Sequence, residues 1–142
     1  RFVVSYEEVT PIVNESSTIP WKDGGVYWIT GGLGGLGSIF ARDIAQQVKG
    51  ATIILTGRSS LDNIKATELK SIQCSSINLE YHSVDITDQT AVEQFVASLK
   101  TRFGCLNGLI HSAGVIRDNY IVSKSQDDLS AVLSPKVGLP DI

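Results

Sequence analysis

The stretch Val26-Tyr27-Trp28-Ile29-Thr30-Gly31-Gly32-Leu33-Gly34-Gly35-Leu36-Gly37 decides how the rest of the chain is read. Val26 to Ile29 is apolar without polar alternation, as a strand covered on both faces requires. A glycine cluster follows, and then a helical pattern begins near Leu36. Glycines also serve ordinary turns, so the flanks carry the argument. A loop between a buried strand and a helix start brings its amides and the positive end of the helix dipole to one place, which suits an anion. Gly31 is expected to permit the tight turn, Gly35 to let the backbone approach a diphosphate, and Gly37 to let the helix pack closely on the sheet. Thr30, Gly32, Leu33, Gly34 and Leu36 complete the candidate cradle. No Gly-Lys-Ser/Thr follows, so a nucleoside-triphosphate loop is disfavoured.

Outward from the loop the chain alternates regularly. The helix from Leu36 to Val48 is expected to turn Ile39, Phe40, Ile44 and Val48 inward. Ala51 to Thr56 reads as a second strand, and Asp62 to Cys74 as a helix with Ile64, Leu69 and Ile72 inward. Leu79 to Val84 is a third strand. Asp88 caps a helix whose Val92, Phe95, Val96 and Leu99 recur at helical spacing and which ends near Gly104. Leu106 to Ile110 is a fourth strand, and Gln126 to Leu133 a last helix. Strands alternating with helices of this length call for parallel pairing and right-handed crossovers, that is, half or more of a doubly wound α/β sheet. Arg1 to Tyr6 reads as a short strand, and Asn14 to Thr18, between Pro11 and Pro20, as a loop.

Composition narrows the class. Of the 142 residues, 42% are hydrophobic and 19% charged, so a packed core is expected rather than disorder. The net charge of -3 gives no support for a nucleic-acid or anionic-membrane partner. No apolar run approaches the roughly 20 residues that span a bilayer, and no signal peptide is expected. Cys74 and Cys105 are far apart, without CxxC or histidines at metal spacing, and are read as reduced thiols of a cytoplasmic protein. No metal site is expected. The chain starts at Arg1 and has no Met, as expected of part of a larger polypeptide.

The spacing Thr30-Gly31-x-x-x-Gly35-x-Gly37 resembles the short-chain dehydrogenase/reductase superfamily. The resemblance implies a Rossmann-like doubly wound parallel sheet of which the front half, four strands with helices, is present, the fold being truncated. It also directs attention to the tip of the second strand, Thr56-Gly57-Arg58-Ser59. An NAD site places an acid there to accept from the ribose 2′-OH. Here a guanidinium and a hydroxyl stand instead, groups that grip a phosphate, so NADPH is the expected cofactor with Arg58 and Ser59 on its 2′-phosphate. An exposed arginine at a strand end is otherwise commonplace. In the superfamily an Asp-hydrophobic pair after the third strand contacts adenine, a role that falls to Asp85 and Ile86. Asp85 also suits a turn. His111-Ser112-Ala113-Gly114 resembles the superfamily's Asn-Asn-Ala-Gly segment along the riboses, with His111 a framework residue rather than a base.

Three patterns sharpen the resemblance: the glycine loop, Leu55-Thr-Gly-Arg-Ser59, and His111-Ser-Ala-Gly-Val115 followed by Ser134-Pro-Lys-Val137. Together they resemble the ketoreductase domain of modular polyketide synthases over residues 24–137. Residues 1–23 would be the lead-in from a preceding structural subdomain, and residues 138–142 an atypical tail. The resemblance implies NADPH-dependent reduction of a β-ketoacyl group carried by an acyl carrier protein, with phosphopantetheine as the tether. The partners would be that carrier protein, the other synthase domains and the rest of the ketoreductase. Lys136 matches the family's lysine, which supports a catalytic tyrosine. Asp118, in Ile116-Arg117-Asp118, matches the last residue of a Leu-Asp-Asp motif tied to a D-configured hydroxyl, although Arg117 departs from it. The family's serine, tyrosine and asparagine would fall beyond Ile142, so the chain by itself is expected not to turn over. Two alternatives stand beside this reading: a non-catalytic structural or docking fragment of a synthase, and a freestanding reductase of a small carbonyl compound. Apolar edges are expected on the side of the first and fourth strands.

Overall fold

The computed structural model describes residues 3–8 and 19–137. The chain runs β1 (Val26–Thr30), α1 (Gly35–Gln47), β2 (Thr52–Gly57), α2 (Asn63–Ile72), β3 (Asn78–Ser83), α3 (Gln89–Phe103), β4 (Gly108–His111), a short 3-10 turn at Ile121–Ser123, and α4 (Gln126–Val137). All strand pairs are parallel, in the order β3-β2-β1-β4. The first three strands march one way from β1. The chain then returns to place β4 on the other side of β1, which creates a switch point at the β1/β4 boundary.

Two cores sandwich the sheet. On one face Ile29, Ile53 and Leu55 meet Ala41 and Ile44 of α1, Val48 just past its end, and Ile72 of α2. On the other, Trp28 and Ile54 meet Val92 and Leu99 of α3, with Val84 and Ile86 closing the end. Alternate residues of β1 and β2 thus serve opposite layers, and for this reason each strand carries an unbroken apolar run, Val26 to Ile29 and Ile53 to Leu55. Trp28 donates its indole N–H to Thr56 Oγ1 at 3.0 Å inside the sheet, so its burial leaves no polar atom stranded.

Several expectations need correction. Val3, Val4 and Tyr6 form no strand and are exposed, because no neighbouring strand pairs with them. The rest of that expected strand, Arg1 and Phe2, lies outside the described residues, as do the Asn14–Thr18 loop and the 138–142 tail. Ile39 is 58% exposed and Phe40 only half-buried; the sheet-facing stripe of α1 is Gly37, Ala41, Ile44, Ala45 and Val48, small enough for close approach. Ile64, in the first turn of α2, is exposed; the buried residue of that helix is Ile72, in its last turn. Helix α4 continues four residues past Leu133, through Pro135, which can donate no ladder bond to the carbonyl of Ala131. On the side of the first and fourth strands, the exposed large apolar side chain within a strand is Leu109 of the edge strand β4, whereas β1 is interior to the sheet.

The lead-in is fastened to the body. Trp21 stacks edge-on to Tyr27, with centroids 5.5 Å apart, and its indole N–H donates to Asp43 Oδ2 at 2.7 Å. Asp23 Oδ1 accepts from the Lys49 amide at 2.7 Å. No described helix is long and apolar enough to cross a membrane.

Candidate functional site

The site forms where all four strands end. In register, Thr30 stands beside Thr56 and His111, and Gly57 beside Ser83, so the loops after them share one rim. The first loop is shaped by its glycines. Gly31 has φ of 65°, a left-handed conformation in which an added Cβ would also sit 2.8 Å from the Ala113 amide nitrogen. The Gly32 amide donates to Thr56 O at 3.1 Å, tying the loop to β2. An added Cβ at Gly37 would run into the carbonyl of Gly31 and the Cα of Gly32. Gly37 therefore lets the helix close on its own loop, a tighter demand than the sheet contact expected for it.

Helix α1 starts without a side-chain cap and without an acid in its first turn. Its positive end is left for an external anion. Nothing lies within 4 Å of where a Cβ of Gly35 would stand, so the backbone is open at the point where a diphosphate would approach.

In front of this loop is a cleft of about 210 Å³, lined by Gly31, Gly34, Gly57, Arg58, Val84, Ile86, Thr87, Ser112, Ala113, Gly114, Val115 and Pro135. Seven of these were expected from the sequence: Gly31, Gly34, Arg58, Ile86, Ser112, Ala113 and Gly114. Arg58 is exposed and makes no ion pair among the described residues, and its carbonyl accepts from Ser83 Oγ at 3.1 Å. Ile86, 4% exposed, presents an apolar wall. Asp85 is exposed and spends its carboxylate on its own turn: Oδ1 accepts from the amide and hydroxyl of Thr87 at 2.9 and 2.8 Å. Those donors, joined by the positive charge of Arg58, hold its carboxyl below the usual range. Asp85 thus builds the turn, and Ile86 and Thr87 line the cleft.

Ser112 fastens the fourth loop to the first; its amide and its hydroxyl both donate to Thr30 O, at 3.1 and 2.6 Å. His111 Nδ1 lies 2.7 Å from Thr30 Oγ1, which makes it a tie between strand ends. Thr30, which bonds through both its hydroxyl and its carbonyl, and Gly32, Gly35 and Gly37, which act through the backbone, are not cleft walls. Leu33 packs partly against the core, and Leu36 is 64% exposed. Ser59 opens onto a side pocket that continues the cleft past Gly31, Gly34 and Gly57. Asp118 and Lys136 are exposed and do not line the cleft; Pro135, the residue before Lys136, does.

Val84, Thr87, Val115, Pro135 and Gly57 are the cleft residues that sequence reasoning passed over. Gly57 carried a signal. An added Cβ there would sit 2.8 Å from the Tyr81 hydroxyl, so the glycine of Thr56-Gly57-Arg58 makes room for a ring on β3. Among the described residues no cluster of His, Cys, Asp or Glu is arranged to hold a metal ion.

The family profile described as the KR domain matches residues 25–138. The chain is 44% identical over 137 residues to polyketide synthase PksN of Bacillus subtilis and 46% identical over 137 residues to PksL of the same organism. Each match covers 96% of the chain but only 2% and 3% of those proteins. Among solved structures, a ketoreductase domain from the bacillaene assembly line superposes with TM-score 0.83 at 41% identity, over 89% of this chain and 30% of that one. An N-terminal ketoreductase from the macrolactin assembly line gives 0.77 at 38% identity, over 82% and 24%. The chain therefore spans a small part of the curated relatives and about a quarter to a third of these solved ketoreductases. Its sheet is the corresponding fragment of their fold, and it belongs to the KR-domain family of polyketide synthase ketoreductases.

Proposed function

We propose that this chain forms the NADPH-binding part of a ketoreductase that reduces a β-ketoacyl group, held as a thioester on an acyl carrier protein, to a β-hydroxyacyl group. Members of the family use a nicotinamide cofactor. The observation that carries the choice of NADPH is the tip of β2, where Gly57-Arg58-Ser59-Ser60-Leu61 contains no acid and Arg58 faces the cleft without an ion-pair partner among the described residues. A carboxylate there would repel a 2′-phosphate, whereas a guanidinium attracts it and donates along two parallel bonds.

The residues fit the dinucleotide. The open backbone at Gly35 and the uncapped start of α1 suit the diphosphate, while Ile86 and Thr87 wall the adenine end. Ser112, Ala113 and Gly114 run along the rim towards Val115, on the side assigned to the riboses. When bound, NADPH supplies a hydride for the ketone carbon. The chain's own share is to bind the adenosine diphosphate end, exclude water there and fix its direction. Lys136 is assigned the role of an ammonium that lowers the pKa of a proton-donating tyrosine, with Pro135 anchoring it beside the cleft. Asp118 is assigned to control of a D-configured product. The carrier protein and the remaining synthase domains are the partners, and the cytoplasm the compartment.

The test is cofactor binding and turnover by the complete protein that contains residues 1–142. NADPH should bind and be oxidised with a β-ketoacyl thioester, and Arg58→Ala should weaken NADPH about tenfold or more while leaving NADH nearly unchanged. Equal losses for the two cofactors would remove Arg58 from the phosphate. Binding without turnover would mark a scaffold rather than an enzyme.

A further inference from the structure

The cleft has an annex that the roles assigned above leave without a cation. Past Gly31, Gly34 and Gly57 it runs into a side pocket of about 150 Å³, whose far wall is Ser59, Lys65 and Tyr81. The Tyr81 hydroxyl donates to Ser59 O at 2.6 Å and so fixes the loop that follows Arg58. The side chain of Lys65 rises from the first turn of α2 and is 27% exposed. Its ammonium rests 2.8 Å from Asp62 Oδ2 and 3.4 Å from Ser60 O. Asp62 has a second task, since its Oδ1 accepts from the Lys65 amide at 2.8 Å and caps α2.

We propose that Lys65 is a second cationic ligand for the cofactor's 2′-phosphate, gripping it with Ser59 from the side opposite Arg58, and that Asp62 is the internal carboxylate it exchanges for that phosphate. This rests on the NADPH reading and deepens it. The pocket joins the cleft at the tip of β2, where a phosphate on the adenosine ribose would extend. Arg58 lines the main cleft and Lys65 the annex, so the two cations flank one position rather than duplicate each other. A phosphomonoester carries close to two negative charges near neutral pH, and a single guanidinium leaves about half of that unmatched. The exchange costs little structurally, because the cap bond of Asp62 uses its other oxygen. The surface pair that is given up is of the weak kind.

The experiment measures binding of 2′,5′-ADP and 5′-AMP to the complete protein, with NADPH and NADH as a second pair. Lys65→Gln should weaken 2′,5′-ADP about tenfold and leave 5′-AMP within about twofold, while Lys65→Arg should keep most of the affinity. Asp62→Asn keeps a good capping side chain and removes the competing charge, so it should tighten 2′,5′-ADP severalfold without changing 5′-AMP. Thermal melting of each variant confirms that the fold is intact. If Lys65→Gln moves both ligands equally, or neither, while Arg58→Ala stays selective for the phosphate, Lys65 is not a ligand. If Arg58→Ala is also unselective, the NADPH reading itself fails.

Discussion

The two flanks of β1 differ sharply. Towards β2 and β3 the layers are closed: Trp28, Ile29, Ile53, Ile54 and Leu55 are wholly buried beneath α1, α2 and α3, and the phosphate loop is bonded into the same body. Towards β4 and beyond, Leu109, Ile116, Tyr120, Ile121, Val122 and Val137 stand exposed among the described residues. The closed flank holds the glycine loop, Arg58, Ile86 and Thr87, while Ser112, Ala113 and Gly114 reach the same cleft from the end of β4. The open flank carries Asp118 and Lys136, the residues assigned to chemistry and stereocontrol. If the proposed roles hold, the two flanks divide binding from reaction in large part, and stability should follow the same division.

Core truncation tests that division most severely. Ile54→Ala removes side-chain atoms packed between β2 and α3 and should cost about 2–5 kcal/mol in chemical denaturation. Ile121→Ala, at a side chain 88% exposed, should stay within about 0.5 kcal/mol. Comparable losses at the two sites would mean that the open flank is covered in the complete protein, and the contrast would then belong to this segment only.

The next effect separates fold from cradle. Gly37→Ala forces a methyl group against the Gly31 carbonyl and should cost about 1–3 kcal/mol, together with loss of dinucleotide binding. Gly35→Ala meets nothing within 4 Å of its new Cβ. It should leave the melting temperature near that of the parent while weakening the dinucleotide, because the methyl stands where the diphosphate approaches. If both variants melt alike, the distinction between the two glycines is lost.

Element order and the glycine loop were legible because each strand and helix repeats its own period and the loop sits between them. Burial at the ends was not. Ile39 and Ile64 continue the periodicity of α1 and α2, yet both are exposed, since a sequence period does not say where the opposing sheet stops. The last helix, expected to end at Leu133, runs on through Pro135 to Val137. In the site, Arg58 and Ile86 were readable from type and position. Val84, Thr87 and Pro135 were not, because a cleft wall made of ordinary apolar or hydroxyl groups has no chemical signature in sequence. That Asp85 suits a turn was legible, but which of its two roles the carboxylate serves needed the positions of the Thr87 amide and hydroxyl.

A smaller loss is expected at the cap of α3. Asp88 Oδ1 accepts from the Ala91 amide at 3.1 Å, and Asp88→Ala should cost about 1 kcal/mol without changing cofactor selectivity. Because α3 covers the Trp28 and Ile54 face, the loss should appear in global unfolding rather than in local fraying. Hydrogen exchange that speeds up only in the first turn of α3 would instead show that the helix end is uncoupled from the closed flank.

The mildest effect lies on the edge strand of the closed flank and depends on pH. Glu80 of β3 accepts from Arg102 of α3 at 2.6 Å and lies 3.0 Å from His82 Nε2. The Arg102 bond, reinforced by His82, holds the Glu80 carboxyl below its ordinary range. A carboxyl with a depressed folded-state pKa contributes stability above its unfolded value, about 4.3 for glutamate, and loses it as pH falls through the lower folded value. With Arg102 44% exposed, solvent screening keeps the pair weak. Glu80→Gln should therefore be slightly less stable than the parent at neutral pH, with the gap closing on acidification below the ordinary carboxylate range and narrowing in high salt. A gap that is independent of both pH and salt would mean that Glu80 holds β3 to α3 by packing rather than by charge.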